Sequence, residues 1–141
     1  MSRQIDRMAY CSRSQVSMDS LLLIADILAV SQRNNRRDDI TGALLYSEGV
    51  FFQVVEGAPV DLDRLLRRLG SDPRHSDIRV IARAPVTGRL FGEWSMMAPR
   101  ISPGREIEMK RAVQTCETAP VAAIETLRRL AEEDAAYAAR Q

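Results

Sequence analysis

The sequence predicts an α+β fold, a five-stranded mixed sheet with two helices on one face and C-terminal helices packed on the other. Three observations lead there. Five segments of strand length are rich in apolar residues, two segments with helical apolar spacing lie between them, and past Pro99 the pattern is helical to the end. At 141 residues, 45% hydrophobic and 28% charged, the chain has the size and composition of one globular domain with a substantial core.

The first strand is IDRMAYCS at 5–12, where alternation puts Met8, Tyr10 and Ser12 on one side. The helix after it spans SMDSLLLIADILAVSQRNN, with Ser17 or Asp19 as its cap. Its apolar residues form two stripes, Leu21, Ile24, Ala25, Leu28 and Leu22, Leu23, Ile27, Val30. Such a helix needs two partners, of which the sheet is one. ITGALLYS and VFFQVVEG read as two strands joined by a tight turn at Glu48 and Gly49. The second helix starts between Pro59 and Asp61 and carries the stripe Leu62, Leu65, Leu66, Leu69. It stops at Gly70, where a left-handed cap residue is expected. IRVIARAPV is the fourth strand, and a Thr87–Gly88 turn leads to a fifth, EWSMMA, in which Trp94 and Met96 point the same way. In the order βαββαββ, the first six elements are ferredoxin-like. The C-terminal helices, with Pro120 in a first turn, cover the open sheet face or else dock a partner.

A net charge of +1 creates no global field that would draw nucleic acid or an anionic membrane. Cys11 and Cys116 lack metal-ligand spacing, and two thiols do not define a disulfide framework. No basic-then-apolar N-terminal segment marks a signal peptide, and the apolar run from Leu21 to Val30 is broken by Asp26 and too short for a bilayer. The expectation is a cytoplasmic protein with neither a nucleic-acid nor a membrane partner.

Gln53 is the anomaly. It interrupts Phe51, Phe52, Val54 and Val55 with an amide that is expensive to bury without partners. Collected on the two-helix side, Tyr10, Ser12, Gln53, Trp94 and Met96, with Asn34 and Asn35, suit a flat heteroaromatic ligand held between the helices. That ligand would be the first helix's second partner. Taken singly, each residue has a plainer reading. Gln53 is then a satisfied buried amide, Tyr10 a core phenol with its hydroxyl at a rim, and Asn34–Asn35 a helix C-terminus. Trp94 and Met96 fill core, His75 is a surface loop residue, and the second helix's arginines form a solvated face.

The segments YCS, SQRNN, ITGALLY, FFQVVEG, SDPRH and EWSM stand in the order and spacing of BLUF domains, and from Met8 to Met97 the chain resembles that family of blue-light sensors using flavin. The resemblance implies FAD as cofactor, with FMN and riboflavin also accommodated. It implies Tyr10 as the photoactive tyrosine and Gln53 as the glutamine between that phenol and the flavin. Asn35 is then the asparagine addressing the ring's N3 and carbonyl edge, with Asn34 beside it and Ser31 near the ring. Arg68, Asp72 and His75 fall around the ribityl and phosphate part, Arg68 and His75 as anion contacts. Trp94 and Met96 match the pair that alternates near the flavin, and Ser12 a serine close to Trp94 in one arrangement. Residues 1–98 would be the flavin-binding domain and 99–141 a helical extension, too short for an effector domain. The function implied is a photoreceptor without catalytic output. Electron and proton transfer from Tyr10 by way of Gln53 rearranges hydrogen bonds at the flavin, and the signal passes to an unidentified downstream protein or through a homodimer. The alternative is a small flavin enzyme or a flavin-free interaction module on the same scaffold. Against an enzyme stand the lack of a nicotinamide-binding glycine fingerprint, of a Cys–His pair with a supporting acid, and of a metal set.

Overall fold

Among the described residues four strands, not five, build the sheet. The computed structural model describes residues 4–14 and 20–140, so the expected cap residues Ser17 and Asp19 lie outside the described residues. The elements are β1 (Ile5–Ser14), α1 (Ser20–Asp38), β2 (Thr41–Ser47), β3 (Val50–Gly57), α2 (Pro59–Gly70), β4 (His75–Val86), α3 (Glu106–Thr115) and α4 (Pro120–Ala139). The sheet order is β2-β3-β1-β4 with every neighbouring pair antiparallel, which places β1 and β3 at the centre.

The expected fifth strand, EWSMMA, meets β2 only at one isolated parallel bridge between Ala43 and Met97. Gly42 N donates to Trp94 O at 2.9 Å and Leu44 N to Met97 O at 2.8 Å. Between those points the Ser95 and Met96 carbonyls accept from side chains of α1 instead, so no ladder propagates. Gly42 is required there, because a Cβ at that position would collide with the Val54 carbonyl.

Alternation divides the sheet residues between two cores. Met8, Tyr10, Leu44, Phe51 and Val55 face α1 and α2, joined by Ile24, Ile27, Leu62 and Leu65. Ala9, Cys11, Ala43, Leu45, Phe52 and Val54 face α3 and α4, joined by Met109, Val113 and Leu127. The C-terminal helices thus fold back on the sheet, and each fully buried leucine among them contributes roughly 1.5–3 kcal/mol. The first helix is covered less than its two stripes suggest, since Leu22 and Ala25 are exposed while Ile27 and Val30 line a cleft.

The hairpin turn is as expected, with Glu48 at φ 50° and Gly49 at φ 83°, the two left-handed residues that a two-residue turn favours. Gly70 is not a left-handed cap. The helix closes at Ser71, φ −104°, whose N–H bonds to the Arg68 carbonyl at 3.2 Å, while Asp72 N bonds to the Leu69 carbonyl at 3.1 Å. Among the described residues no helix is long and apolar enough to cross a membrane.

Candidate functional site

Strand register sets Tyr10 of β1 directly opposite Gln53 of β3. Side chains so opposed lie within reach of each other, so this contact follows from the ladder alone. The Tyr10 hydroxyl donates to Gln53 Oε1, and both residues are almost fully buried. Burial pushes the Tyr10 phenol well above its ordinary range, while the Arg68 guanidinium pulls more weakly the other way. The phenol therefore remains a protonated donor at neutral pH. Gln53 accepts with its oxygen and keeps an end of opposite character, Nε2.

The pair faces a cleft between α1 and α2 lined by apolar Ile27, Val30 and Leu65 and by Ser31, Asn34, Asn35, Arg68, Asp72, His75 and Met96. The structure thus brings together most of the residues expected at the site. Two buried atoms of residues lining this cleft have no hydrogen-bond partner among the described residues, Asn35 Oδ1 and Arg68 Nη2. One is an acceptor, the other a donor, and each would cost about 1–3 kcal/mol if left unsatisfied. The other ends of both side chains are committed. Asn35 Nδ2 donates to Ser95 O at 2.6 Å and Arg68 Nη1 to Asp38 Oδ2 at 3.0 Å. A planar heteroaromatic ring carrying N–H and carbonyl groups on its rim supplies what both atoms lack.

His75 is not a surface loop residue. It opens β4, is 7% exposed, and packs on Phe51 with ring centroids 5.2 Å apart. Its Nδ1 lies 3.0 Å from Ser12 Oγ in a shared hydrogen bond. Burial lowers its pKa below the ordinary imidazole value, with Asp72 opposing and Arg74 adding to the effect, which favours the neutral ring. Ser12, expected near Trp94, is instead this histidine's partner. Asp72 accepts from Arg74 N at 2.9 Å and Arg74 Nη2 at 2.7 Å, and those bonds hold its carboxyl below the usual range. Arg74 also reaches Asp26 of α1 at 2.6 Å and so spans the rim of the cleft. It lies within the SDPRH segment, yet nothing in the sequence alone pairs it with Asp26.

Trp94 and Met96 do not share a side. Met96 is 3% exposed and faces the cleft, whereas Trp94 packs into the α3–α4 core and lines a second cavity with Glu132 and Ala135 of α4. Period-two alternation does not apply, because this segment is not a strand. Two residues that sequence reasoning passed over hold this segment and the turn leading into it. Gln32 Nε2 donates to Met96 O at 2.9 Å, and its spacing of three from Asn35 on one helix was the available signal. Glu56, fully buried on β3, accepts from Phe91 N at 2.7 Å, Leu90 N at 2.9 Å and Arg7 Nε at 2.8 Å. Its signal was a carboxylate on the same strand face as Phe52 and Val54.

The profile of a family described as sensors of blue-light using FAD matches residues 5–97. Photoactivated adenylate cyclase subunit alpha of Euglena gracilis is 40% identical over 94 residues, covering 66% of this chain and 9% of that protein. Photoactivated adenylate cyclase subunit beta of Euglena longa is 42% identical over 73 residues, 52% of this chain and 8% of that protein. The chain therefore spans less than a tenth of the length of either relative. Among solved structures, the dark state of BlrB, a BLUF protein, superposes with a TM-score of 0.76 at 28% identity, covering 94% of this chain and 99% of that one. A bacterial light-regulated adenylyl cyclase gives 0.69 at 26% identity, covering 89% and 39%.

Proposed function

This chain belongs to the BLUF family, the sensors of blue light using FAD, and from that membership we propose that the α1–α2 cleft is its flavin site and that Tyr10 and Gln53 are its light-responsive pair. It is a blue-light flavin photoreceptor. Asn35 Oδ1 would accept from the ring N–H and Arg68 Nη2 would donate to an oxygen of the flavin, which is how the two unpartnered atoms fit the cofactor. Ser31, Asn34, Asp72 and His75 line the same cleft, the first two as residues that would sit beside the ring and the last two towards the ribityl side, with Arg68 and His75 as the anion contacts. FAD is the proposed form. A single available guanidinium also accommodates FMN and riboflavin, because Arg74 is already engaged by Asp26 and Asp72.

When bound, the flavin supplies one chemistry, a strong electron acceptor once it has absorbed blue light. The rest belongs to the protein. Tyr10 is a phenol, among the few side chains that readily give up an electron, and its Oη proton already points at Gln53 Oε1. The proton can follow the electron, leaving no separated charge in a low-dielectric site. Gln53 then rotates or tautomerises and exchanges donor for acceptor at its two ends. A difference of about 1 kcal/mol in hydrogen bonding suffices to bias a segment between two positions. Met96 is the residue of that segment facing the cleft, and Trp94, two residues earlier, carries a displacement into the α3–α4 core.

Residues 1–98 are in this reading the sensing domain and 99–141 a helical extension that relays its state. The output is not catalytic. It passes to a separate downstream protein or to a second copy of the chain, and the cyclase activity named for the relatives is not carried over. The observation carrying the reading is the Tyr10–Gln53 hydrogen bond beside a cleft in which Asn35 Oδ1 and Arg68 Nη2 lack partners. Reconstituted with FAD, the purified chain should be yellow, and blue light should move its absorption to longer wavelength, reversibly in the dark. A colourless protein, or a yellow one whose spectrum does not move, contradicts it.

A further inference from the structure

The opposite sheet face holds a pair of groups that the light response does not use. Cys11 lies on β1 one residue past Tyr10, with its side chain in the α3–α4 core, and Cys116 follows directly on α3. Both are free thiols, 6% and 2% exposed, packed in the same core. They line one cavity of ≈ 240 Å³, which reaches the surface at the exposed Glu48 and Glu117. Cys11 Sγ donates at 3.6 Å to Oε1 of Glu117, the residue directly after Cys116.

We propose that Cys11 and Cys116 form a disulfide under a low-molecular-weight disulfide oxidant, a modification site that locks α3 and α4 onto the sheet. One cysteine thiolate attacks a sulfur of the small disulfide, displacing a thiolate and leaving a mixed disulfide. The second cysteine attacks the protein sulfur of that bond and displaces the second small thiolate. One S–S bond forms in the protein and one breaks in the oxidant. Two electrons pass from the cysteines to the oxidant, and the two cysteine protons end on the released thiols.

The surroundings set the pace. Burial pushes Cys11 up to about 12, with Cys116 and Glu117 adding, so thiolate is scarce at neutral pH and the reaction is slow. The same destabilised thiolate makes the bond, once formed, hard to reduce. The pair responds to sustained oxidant exposure and not to a brief pulse. Its effect on signalling rests on the photoreceptor reading above, since the lock mutes the response only if α3 and α4 carry it.

The test incubates the FAD-loaded full chain with excess oxidised glutathione, alkylates the remaining thiols, and digests without reductant for mass analysis. The expected product is a peptide pair linking Cys11 to Cys116, lighter by two hydrogens than its parts, reversed by dithiothreitol and absent from Cys116→Ser. The linked form should melt roughly 10 °C higher. Glutathione adducts without an internal link, thiols still free after prolonged exposure, or links only between copies each overturn the site. Amide exchange over 106–139, in dark and light, then compares reduced and linked chains. A severalfold smaller light-dependent change in the linked chain supports the lock, and equal changes refute it. A reduced chain without any light-dependent exchange there sinks the signalling route through α3 and α4, while the peptide map alone decides the disulfide.

Discussion

The two faces of one sheet were built to opposite specifications. On β1 and β3 the residues facing α1 and α2 include Tyr10 and Gln53, a hydrogen-bonded polar pair deep in the molecule, beside two buried atoms that no described residue satisfies. One position along the same strands, Ala9, Cys11, Phe52 and Val54 face α3 and α4 in an apolar core. Burying polar groups costs stability unless something pairs them, whereas apolar packing contributes it directly. The first face combines an apolar core with polar groups that cost stability, and the second is packed mainly with apolar side chains.

Substitutions should separate the two faces cleanly. Tyr10→Phe should abolish the light-induced absorption shift while the protein still binds flavin, and a shift of native size in that variant would break the distinction. On the opposite face, Leu127→Ala should cost about 2–5 kcal/mol in denaturant unfolding and leave the size of the absorption shift unchanged. Gln32→Ala lies between the two. It removes one hydrogen bond, worth about 1 kcal/mol, from the Met96 carbonyl. The shift should persist with dark recovery altered severalfold, and unaltered recovery would mean that this bond has no part in holding the signalling segment.

The smallest effect is a pH dependence. The folded-state pKa of His75 lies below the ordinary imidazole value, so between the two the unfolded chain binds more protons than the folded one. The contribution is present above about pH 6.5, the ordinary value, and is lost as pH falls through the folded one. Tm should decline as pH drops from about 7 towards 5, and His75→Asn should flatten that decline. Asp72 and Asp38, also held low by arginines, act in the same direction but only in the more acidic carboxylate range, which keeps the windows apart. An unchanged slope in His75→Asn would show that His75 is not held neutral by the fold.

The polar face was legible in the sequence where local pattern sufficed. Alternation placed Tyr10 and Gln53 inside and on one side, and the family motifs picked out Asn35 and Arg68. What stayed hidden depended on partners far along the chain. EWSMMA has the length and composition of a strand, but whether its carbonyls meet a ladder or the side chains of Gln32 and Asn35 is decided by α1. The placement of Trp94 followed from that error. His75 became a core residue only because Ser12 and Phe51 wait for it. Arg74 was invisible without Asp26, since that pairing leaves no trace in spacing. Glu56 was readable in principle, a carboxylate on an apolar strand face that had to find donors.

The switch itself is tested most directly by illuminating FAD-loaded Gln53→Leu. The side chain keeps its bulk and loses both the acceptor that takes the Tyr10 proton and the end of opposite polarity. Blue light should leave its absorption maximum where it was, although the cofactor remains bound. A reversible shift to longer wavelength of the same size as in the unaltered chain would show that the amide is not what changes.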